Sequence, residues 1–426
     1  MPRASDLRNR RTVDRQTAAS FAQQRLRLSD AEVESLRRYL ERRRQQLRGG
    51  DTFGVVWDIT EHCNLACRHC GVNAKLSMRT SADTAELNLA AVRDGLAQIA
   101  DYVAKLADVR YFLIFGGGEP FLRGDFPEIL ADAASLLGAK NIGVNTNGTV
   151  TAPEDLLQVA PHLGVIEVSL DGFEPYHNAW RAPGNTALVA NPFQVTTALI
   201  RGSTAHQALR DKIEVSCVLT RDNAADLKNF VEFVASLGVQ RFSIHRAMPV
   251  GRMAGQMASI LSASDYARVA VVLNEIYEQG AQCYYYDLHL HHSLESVFSV
   301  AFLGEDIHHS ELLMRCKRHS IGIDPFGGVY FDPWCMVKPY SELRAGLIHD
   351  RSKSLSELLQ SKDSLIRMAD DINALSFRCD RCRMACSGGM RFNALGQYVE
   401  SLRRSPTLSD LLAGLKKQDP ACPFAD

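Results

Sequence analysis

The sequence predicts an α/β protein built on a parallel sheet, and three observations carry that reading. From residue 53 to about 281, short apolar runs alternate with amphipathic segments. Six such strand-helix units follow one another in series, the pattern of a parallel sheet that is either doubly wound or curled into a barrel-like arc. The chain has 426 residues, 46% of them hydrophobic and 23% charged, which is enough to bury a large core. In either arrangement a functional site belongs at the C-terminal ends of the strands.

The elements follow in order. Residues 1–50 hold 13 Arg, no Lys and 6 acidic side chains, a locally basic segment. Ser29 with Glu32 gives a capping-box signature, and Val33, Leu36, Leu40 and Leu47 recur at helical spacing, so a helix is predicted over 30–47. It reads as a helix packed on the main domain rather than as a partner-binding arm. Strands are predicted at 55–59, 111–115, 141–145, 165–170, 213–219 and 241–245, with helices at 84–106, 126–137, 153–160, 192–201, 223–236 and 264–279. After about residue 282 the alternation stops, and the remainder is Cys-rich and loop-rich with hairpin signals and a helix near 354–361. The predicted domains are therefore a basic helical segment (1–50), the sheet domain (51–281) and a Cys-rich extension (282–426).

Composition excludes some functions. A formal net charge of -1 argues against a general nucleic-acid binder. No run of about 18 apolar residues occurs, and the Arg-rich start lacks the apolar core of a signal peptide, so no membrane partner and a cytoplasmic location are expected. In that reducing compartment eleven cysteines point to metal or redox chemistry rather than to a disulfide framework.

The first strand runs into DITEHCNLACRHCGVN, which places Cys63, Cys67 and Cys70 within eight residues at the end of the strand that faces the site. A structural zinc needs four closed ligands, and no fourth Cys or His stands at ribbon spacing nearby; His62 and His69 are too close to their neighbours to share the ion. Three thiolates can instead hold three irons of a cubane and leave the fourth open to a ligand. Cys217, inside an apolar strand, reads as a small buried hydrophobe.

This C-x3-C-x2-C segment after a first strand resembles the radical S-adenosylmethionine (radical SAM) superfamily. Supporting motifs follow on later strands. FGGGEP places Gly117, Gly118 and Glu119 after the second, NTNGT places Asn147 after the third, SLDG places Ser169 and Asp171 after the fourth, and HRAMPVGR follows the sixth. The resemblance implies a partial (β/α)6 TIM-like barrel with a [4Fe-4S] cluster on Cys63, Cys67 and Cys70. SAM would chelate the open iron, Gly117, Gly118 and Glu119 would meet its methionyl end, and Asn147, Ser169 and Asp171 would meet the rest. In that family an aromatic residue usually precedes the third cysteine, and here His69 supplies the flat ring.

In CKRHSIGIDPFGGVYFDPWC, the DPFGG turn predicts a hairpin of 321–323 with 329–331, whose register carried outward sets residue 316 opposite about 336. Cys316 and Cys335 would then meet at its open end. Cys379, Cys382, Cys386 and Cys422 follow. The layout resembles the SPASM extension of radical SAM enzymes, which implies one or two auxiliary [4Fe-4S] clusters. Cys379, Cys382, Cys386 and Cys422 would complete the distal one. The proximal one, on Cys316 and Cys335, is short of ligands because Met390 stands where the family has its sixth cysteine; His308, His309 or Cys283 are candidate substitutes. A zinc site on the four C-terminal cysteines fits the local spacing too. In YYYDLHLHH, Asp287, His289 and His291 would share one strand face, read as a bridging strand rather than as a metal site.

The resemblance implies a 5'-deoxyadenosyl radical that abstracts hydrogen from a substrate. The first expectation is a ribosomal precursor peptide undergoing crosslinking, epimerisation or oxidation, with an auxiliary cluster taking the released electron. The second is a dehydrogenase, dehydratase or epimerase acting on a small molecule such as a sugar. A third, from another class, is a zinc-stabilised binding protein. An electron donor such as flavodoxin or ferredoxin is the expected partner, and Asp332 and Asp324 are the nearest candidates for a proton acceptor.

Overall fold

The computed structural model describes residues 20, 23–24, 26–46, 52–78, 85–185, 188–247, 250–278, 285–288, 298–299, 302–303, 320–330, 333–337 and 344–360. Within them lies a ten-stranded sheet. Its strands are β1 (Thr52–Thr60), β2 (Arg110–Gly117), β3 (Ile142–Thr146), β4 (Val165–Ser169), β5 (Ile213–Leu219), β6 (Arg241–Arg246), β7 (Tyr285–Leu288), β8 (Ser320–Ile323), β9 (Gly328–Tyr330) and β10 (Gly346–Leu347). The spatial order is β10-β9-β8-β1-β2-β3-β4-β5-β6-β7. All neighbours from β8 to β7 are parallel, and β9 and β10 add antiparallel at one edge.

Two-residue periodicity sorts the strands into two faces. Phe53, Val55, Trp57 and Ile59 of β1, Phe115 of β2 and Phe242 of β6 are buried on the face that meets the helices. There Phe115 meets Phe126 of α3 (Phe126–Leu137) edge to face at 5.7 Å, and Phe242 meets Phe230 of α7 (Leu227–Ser236) at 5.9 Å. The alternate residues, among them Val56 and Asp58 of β1, Glu167 and Ser169 of β4, Ser216 of β5 and Ser243 of β6, line one cavity. Strands β8 to β6 all contribute residues to this one cavity.

Helices of the main domain follow the predicted spans: α2 (Leu89–Val103), α3, α4 (Pro153–Val159), α6 (Pro192–Ala205), α7 and α8 (Ala263–Glu278). The N-terminal helix α1 (Asp30–Gln46) begins at the expected capping box, with Ser29 N donating to Glu32 Oε2 at 2.7 Å and Glu32 N to Ser29 Oγ at 3.3 Å. It buries Val33, Leu36, Tyr39 and Leu40 and bonds α8 through Asn274 to Ser35 and Arg38 to Glu278. Besides the four-residue turn Gln207–Arg210, one helix was not foreseen, α5 (Glu174–Arg181). Its eight residues are too few for a periodic signal, although a proline at its start marks it.

The hairpin register is the predicted one, with Gly322 opposite Tyr330 and Ile323 opposite Val329. Its placement differs from the expectation of a separate extension. β8 pairs in parallel with β1, Val55 opposite Ile321 and Trp57 opposite Ile323, and β7 continues the sheet beyond β6. The boundary expected at 281/282 therefore does not divide the sheet. Short α9 (Leu355–Gln360) matches its predicted place. Among the described residues no helix is long and apolar enough to cross a membrane.

Gly95 in α2 tests this packing, since its position has two opposed effects. A Cβ there would lie 2.6 Å from the ring of Trp57 and 3.1 Å from Ile348. Alanine gains about 1 kcal/mol of helix propensity over glycine, whereas overpacking a core costs about 1–3 kcal/mol. Trp57 is fully buried and has nowhere to move, so Gly95→Ala should be net destabilising in urea unfolding. A more stable variant would show that α2 is not wedged on Trp57.

Candidate active site

A register shift between Asp58 and Thr60 ends the regular pairing of β1 with β2 and turns the chain into the cysteine loop. The loop is pinned at its base, where His62 and Cys63 pair in parallel with Lys75 and Leu76. Lys75 N donates to Glu61 O at 2.7 Å and Ser77 N to Cys63 O at 2.8 Å. Gly117 and Gly118 permit this closeness. Gly117 has φ +105°, and a Cβ on Gly118 would stand 1.9 Å from His62 O.

Cys63, Cys67 and Cys70 all line the cavity, whose volume is about 540 Å³. Amide hydrogens already point at their sulfurs: Leu65 N to Cys63 Sγ at 3.4 Å, Ala74 N to Cys70 Sγ at 3.4 Å, and Asn147 Nδ2 to Cys63 Sγ at 3.6 Å. Burial pushes the Cys63 thiol up to about 12 and that of Cys67 to about 11. Ionised sulfur at these positions is stable only against a bound cation. Arg252, which also lines the cavity, holds the loop, Nε to Cys67 O at 2.7 Å and Nη1 to Ala74 O at 2.8 Å, and its backbone N donates to Cys70 O at 2.9 Å.

Of the residues chosen for SAM, Gly117, Gly118, Asn147 and Ser169 line the same cavity. Glu119 and Asp171 sit behind its wall, fully buried. Glu119 Oε1 accepts from Thr146 Oγ1 at 2.8 Å and from Phe121 N at 3.3 Å, and its Oε2 accepts from Asn147 N at 2.7 Å. Asn147 in turn bonds Asn64 at 2.8 Å, so Glu119 ties the ends of β2 and β3 to the cysteine loop. Burial, opposed by these bonds, raises its carboxyl to about 7.

Asp171 takes a fork from Arg181 of α5, Nε to Oδ2 at 2.6 Å and Nη2 to Oδ1 at 3.1 Å. It also accepts from Val218 N of β5 at 2.9 Å, and His69 Nε2 lies 3.3 Å from its Oδ2. Burial would raise its carboxyl, but Arg181 and its other partners win and hold it well below the usual carboxylate range. Both carboxylates thus brace the cysteine loop.

His69 lies in the loop against Trp180, ring centroids 5.7 Å apart, and burial lowers its imidazole to about 4, so it is neutral. Asp324 serves its own turn, accepting from Phe326 N, Gly328 N and the Tyr330 hydroxyl. Cys217 is buried in β5, as expected. Asp332, Cys316, Cys379, Cys382, Cys386, Cys422, Met390, Cys283, His289, His291, His308 and His309 lie outside the described residues, as does the side chain of Cys335. Sequence reasoning missed Arg181, Arg252 and Asp58. Nothing local marks Arg181, whereas Arg252 closes the quoted HRAMPVGR and Asp58, a charge inside an apolar strand, was a legible signal.

Residues 57–190 match the Radical SAM superfamily. These residues are similar to a radical SAM domain. The mycofactocin maturase MftC of Mycobacterium tuberculosis (strain H37Rv) is 29% identical over 66% of this chain and 64% of its own. The Fe-coproporphyrin III synthase of Methanosarcina barkeri is 26% identical over 81% of this chain and 84% of its own. An AdoMet-dependent heme synthase of Nitratidesulfovibrio vulgaris is 27% identical over 53% of this chain, and the match spans 55% of that relative, little more than half its length. Among solved structures, anSMEcpe with bound AdoMet and peptide superposes with a TM-score of 0.56 at 14% identity, over 85% of this chain and 99% of that one. SuiB of Streptococcus suis bound to its precursor peptide SuiA gives 0.55 at 15% identity, over 81% and 71%. These two likenesses establish the α/β fold with its mostly parallel sheet.

Asp58 makes the site's electrostatics measurable. Burial first, and Asp324 second, raise its carboxyl from 3.8 to about 8. A raised folded-state value means that its stabilising effect is complete below about pH 4 and is lost as pH rises through about 8. Glu119, raised to about 7, acts in the same direction. The cluster-free protein should therefore lose stability to urea between pH 5 and 8. Asp58→Asn should flatten that slope by up to about 1.4 kcal/mol per pH unit while Glu119 keeps its share. An unaltered slope would mean that Asp58 is ionised throughout.

Proposed function

We propose that the protein is a radical SAM enzyme that matures a peptide. The observation that carries the reading is the convergence of Cys63, Cys67 and Cys70 on a cavity also lined by Gly117, Gly118, Asn147 and Ser169 at the C-terminal ends of the strands. The three sulfurs, those of Cys63 and Cys70 already accepting from amide donors, suit a [4Fe-4S] cluster with one iron left for SAM. Held by Cys63, Cys67 and Cys70, such a cluster would, when reduced, supply the electron for reductive cleavage of SAM to methionine and a radical able to take a hydrogen atom from the substrate. The protein's part is to hold the geometry. Gly117 and Gly118 bring backbone against the ligand's methionyl end, Asn147 and Ser169 offer polar groups along the cavity, and Arg252, Glu119 and Asp171 keep the loop in register. The sheet is read as the partial (β/α)6 barrel of the family.

Similarity to the mycofactocin maturase and the fold shared with peptide-bound structures support the peptide substrate. The relatives named for heme and coproporphyrin chemistry suggest a second reading, a tetrapyrrole substrate. We further propose that the C-terminal cysteines hold at least one auxiliary [4Fe-4S] cluster. Pro333 and Met336, which flank Cys335 in the chain, line the cavity, so a cluster there would stand near enough to take an electron from the substrate. A reducing cytoplasm, with flavodoxin or ferredoxin as donor, fits this chemistry.

Anaerobically reconstituted and reduced, the protein should convert SAM to 5'-deoxyadenosine and methionine, and Cys67→Ala should drop the yield to background with the circular dichroism unchanged. Cleavage surviving in that variant would refute the assignment. Removing Cys63, Cys67 and Cys70 together should leave about four or about eight irons per chain, according to whether one or two auxiliary cubanes form. Zinc without iron in that variant would make the C-terminal region a structural site.

A further inference from the structure

A second group of ligating side chains lies at the base of the cysteine loop, apart from the cavity. Glu61 and His62 follow β1 directly, and Glu86 stands three residues before α2. One ligand atom from each lies within 4.8 Å of those from the other two. Neighbours in an extended strand point to opposite sides, whereas the chain bends at Glu61, so two successive side chains both reach Glu86. None of the three lines the cavity that Cys63, Cys67 and Cys70 share.

The packing leaves bonding capacity unused at this place. The Glu86 side chain is 0% exposed. Its Oε1 accepts from Thr60 Oγ1 at 3.0 Å and from Glu61 N at 2.8 Å, while its Oε2 is buried without a hydrogen bond. The His62 side chain is 12% exposed, and neither ring nitrogen has a hydrogen bond. Nε2 stands 3.9 Å from Glu86 Oε1, too far for one. Glu61 Oε1 pairs with Lys75 Nζ at 2.5 Å, which leaves its second oxygen for another partner. Orphaned lone pairs are costly inside a protein, and a set that converges from three side chains is accounted for by an ion that takes them.

We propose that Glu61, His62 and Glu86 form a divalent metal site that fastens the start of the cysteine loop to the segment leading into α2. Carboxylate and imidazole donors without thiolate suit a first-row ion such as manganese, iron or zinc. Two carboxylates and one neutral imidazole balance its double charge. Bonds of about 2.1 Å set tetrahedral donors about 3.4 Å apart, a spacing that small side-chain rotations reach from the one seen here. The Glu61 side chain is 22% exposed, which gives the ion a path from solvent and room for water to complete its shell. His62 directly precedes Cys63, so a filled site fixes the backbone at the first of the three cysteines.

The test titrates Mn2+ into the full chain with its iron-sulfur centres reconstituted, and counts free ion by room-temperature electron paramagnetic resonance. Thiolates are poor ligands for this ion, so the cysteines do not compete for it. The parent protein should bind about one Mn2+ at this site, and pulsed spectra of the bound ion should show nitrogen coupling from the imidazole. Glu86→Gln keeps an oxygen for Thr60 and Glu61 N but removes the anionic ligand, and it should weaken binding at least about tenfold. His62→Gln should weaken it similarly and abolish the nitrogen coupling. No saturable binding in the parent protein, or affinity undiminished in Glu86→Gln, would overturn the proposal. If Glu86→Gln does not fold, His62→Gln decides alone, and nitrogen coupling that persists in it again overturns the proposal.

Discussion

The ion pair between Asp171 and Arg181 is the interaction on which the site's geometry depends. It joins four parts of the chain: the end of β4, helix α5, the backbone of β5 and, through His69, the cysteine loop. Burying two charges costs several kcal/mol each, and the cost is met only when geometry is good and every lone pair is used. Here the guanidinium forks onto both oxygens and Val218 N takes a further site. Such a pair adds little net stability compared with an apolar replacement, yet losing one partner costs about 3–5 kcal/mol. It therefore specifies one arrangement of the loop rather than strengthening the fold. Glu119 does the same at the other flank through Thr146, Asn147 and Asn64.

These braces explain how a loop with three closely spaced thiols keeps its shape. Left to itself, a segment of this length would sample many conformers and present its sulfurs in none of them consistently. Arg252 closes the last side by bonding carbonyls on both limbs of the loop. The strands below it are apolar toward the helices and polar toward the cavity, so the same two-residue alternation that builds the core also furnishes the chemistry.

Much of this was legible in the sequence, and the omissions have physical reasons. The strands fall within a few residues of expectation because β-branched runs between turn residues are a local signal. The hairpin register followed from the DPFGG turn alone. The parallel pairing of β8 with β1 was not foreseen, since a contact between segments so distant in the chain leaves no periodic trace. Glu119 and Asp171 were found as site residues, but the protein groups that hold them were not foreseen. A motif marks a position near the ligand, whereas the direction in which a side chain points depends on neighbours such as Thr146 and Arg181 that only the fold brings near.

The central claim is that Cys63, Cys67 and Cys70 hold a cluster with one iron open to SAM. The most direct measurement is electron-nuclear double resonance on the reduced, reconstituted protein with SAM isotopically labelled in its amino and carboxylate groups. The account requires hyperfine coupling from both labels to the cluster, present in the parent protein and absent when Cys67 is alanine. A cluster signal indifferent to labelled SAM would contradict it, because the fourth iron would then be closed and the cavity would serve some other chemistry.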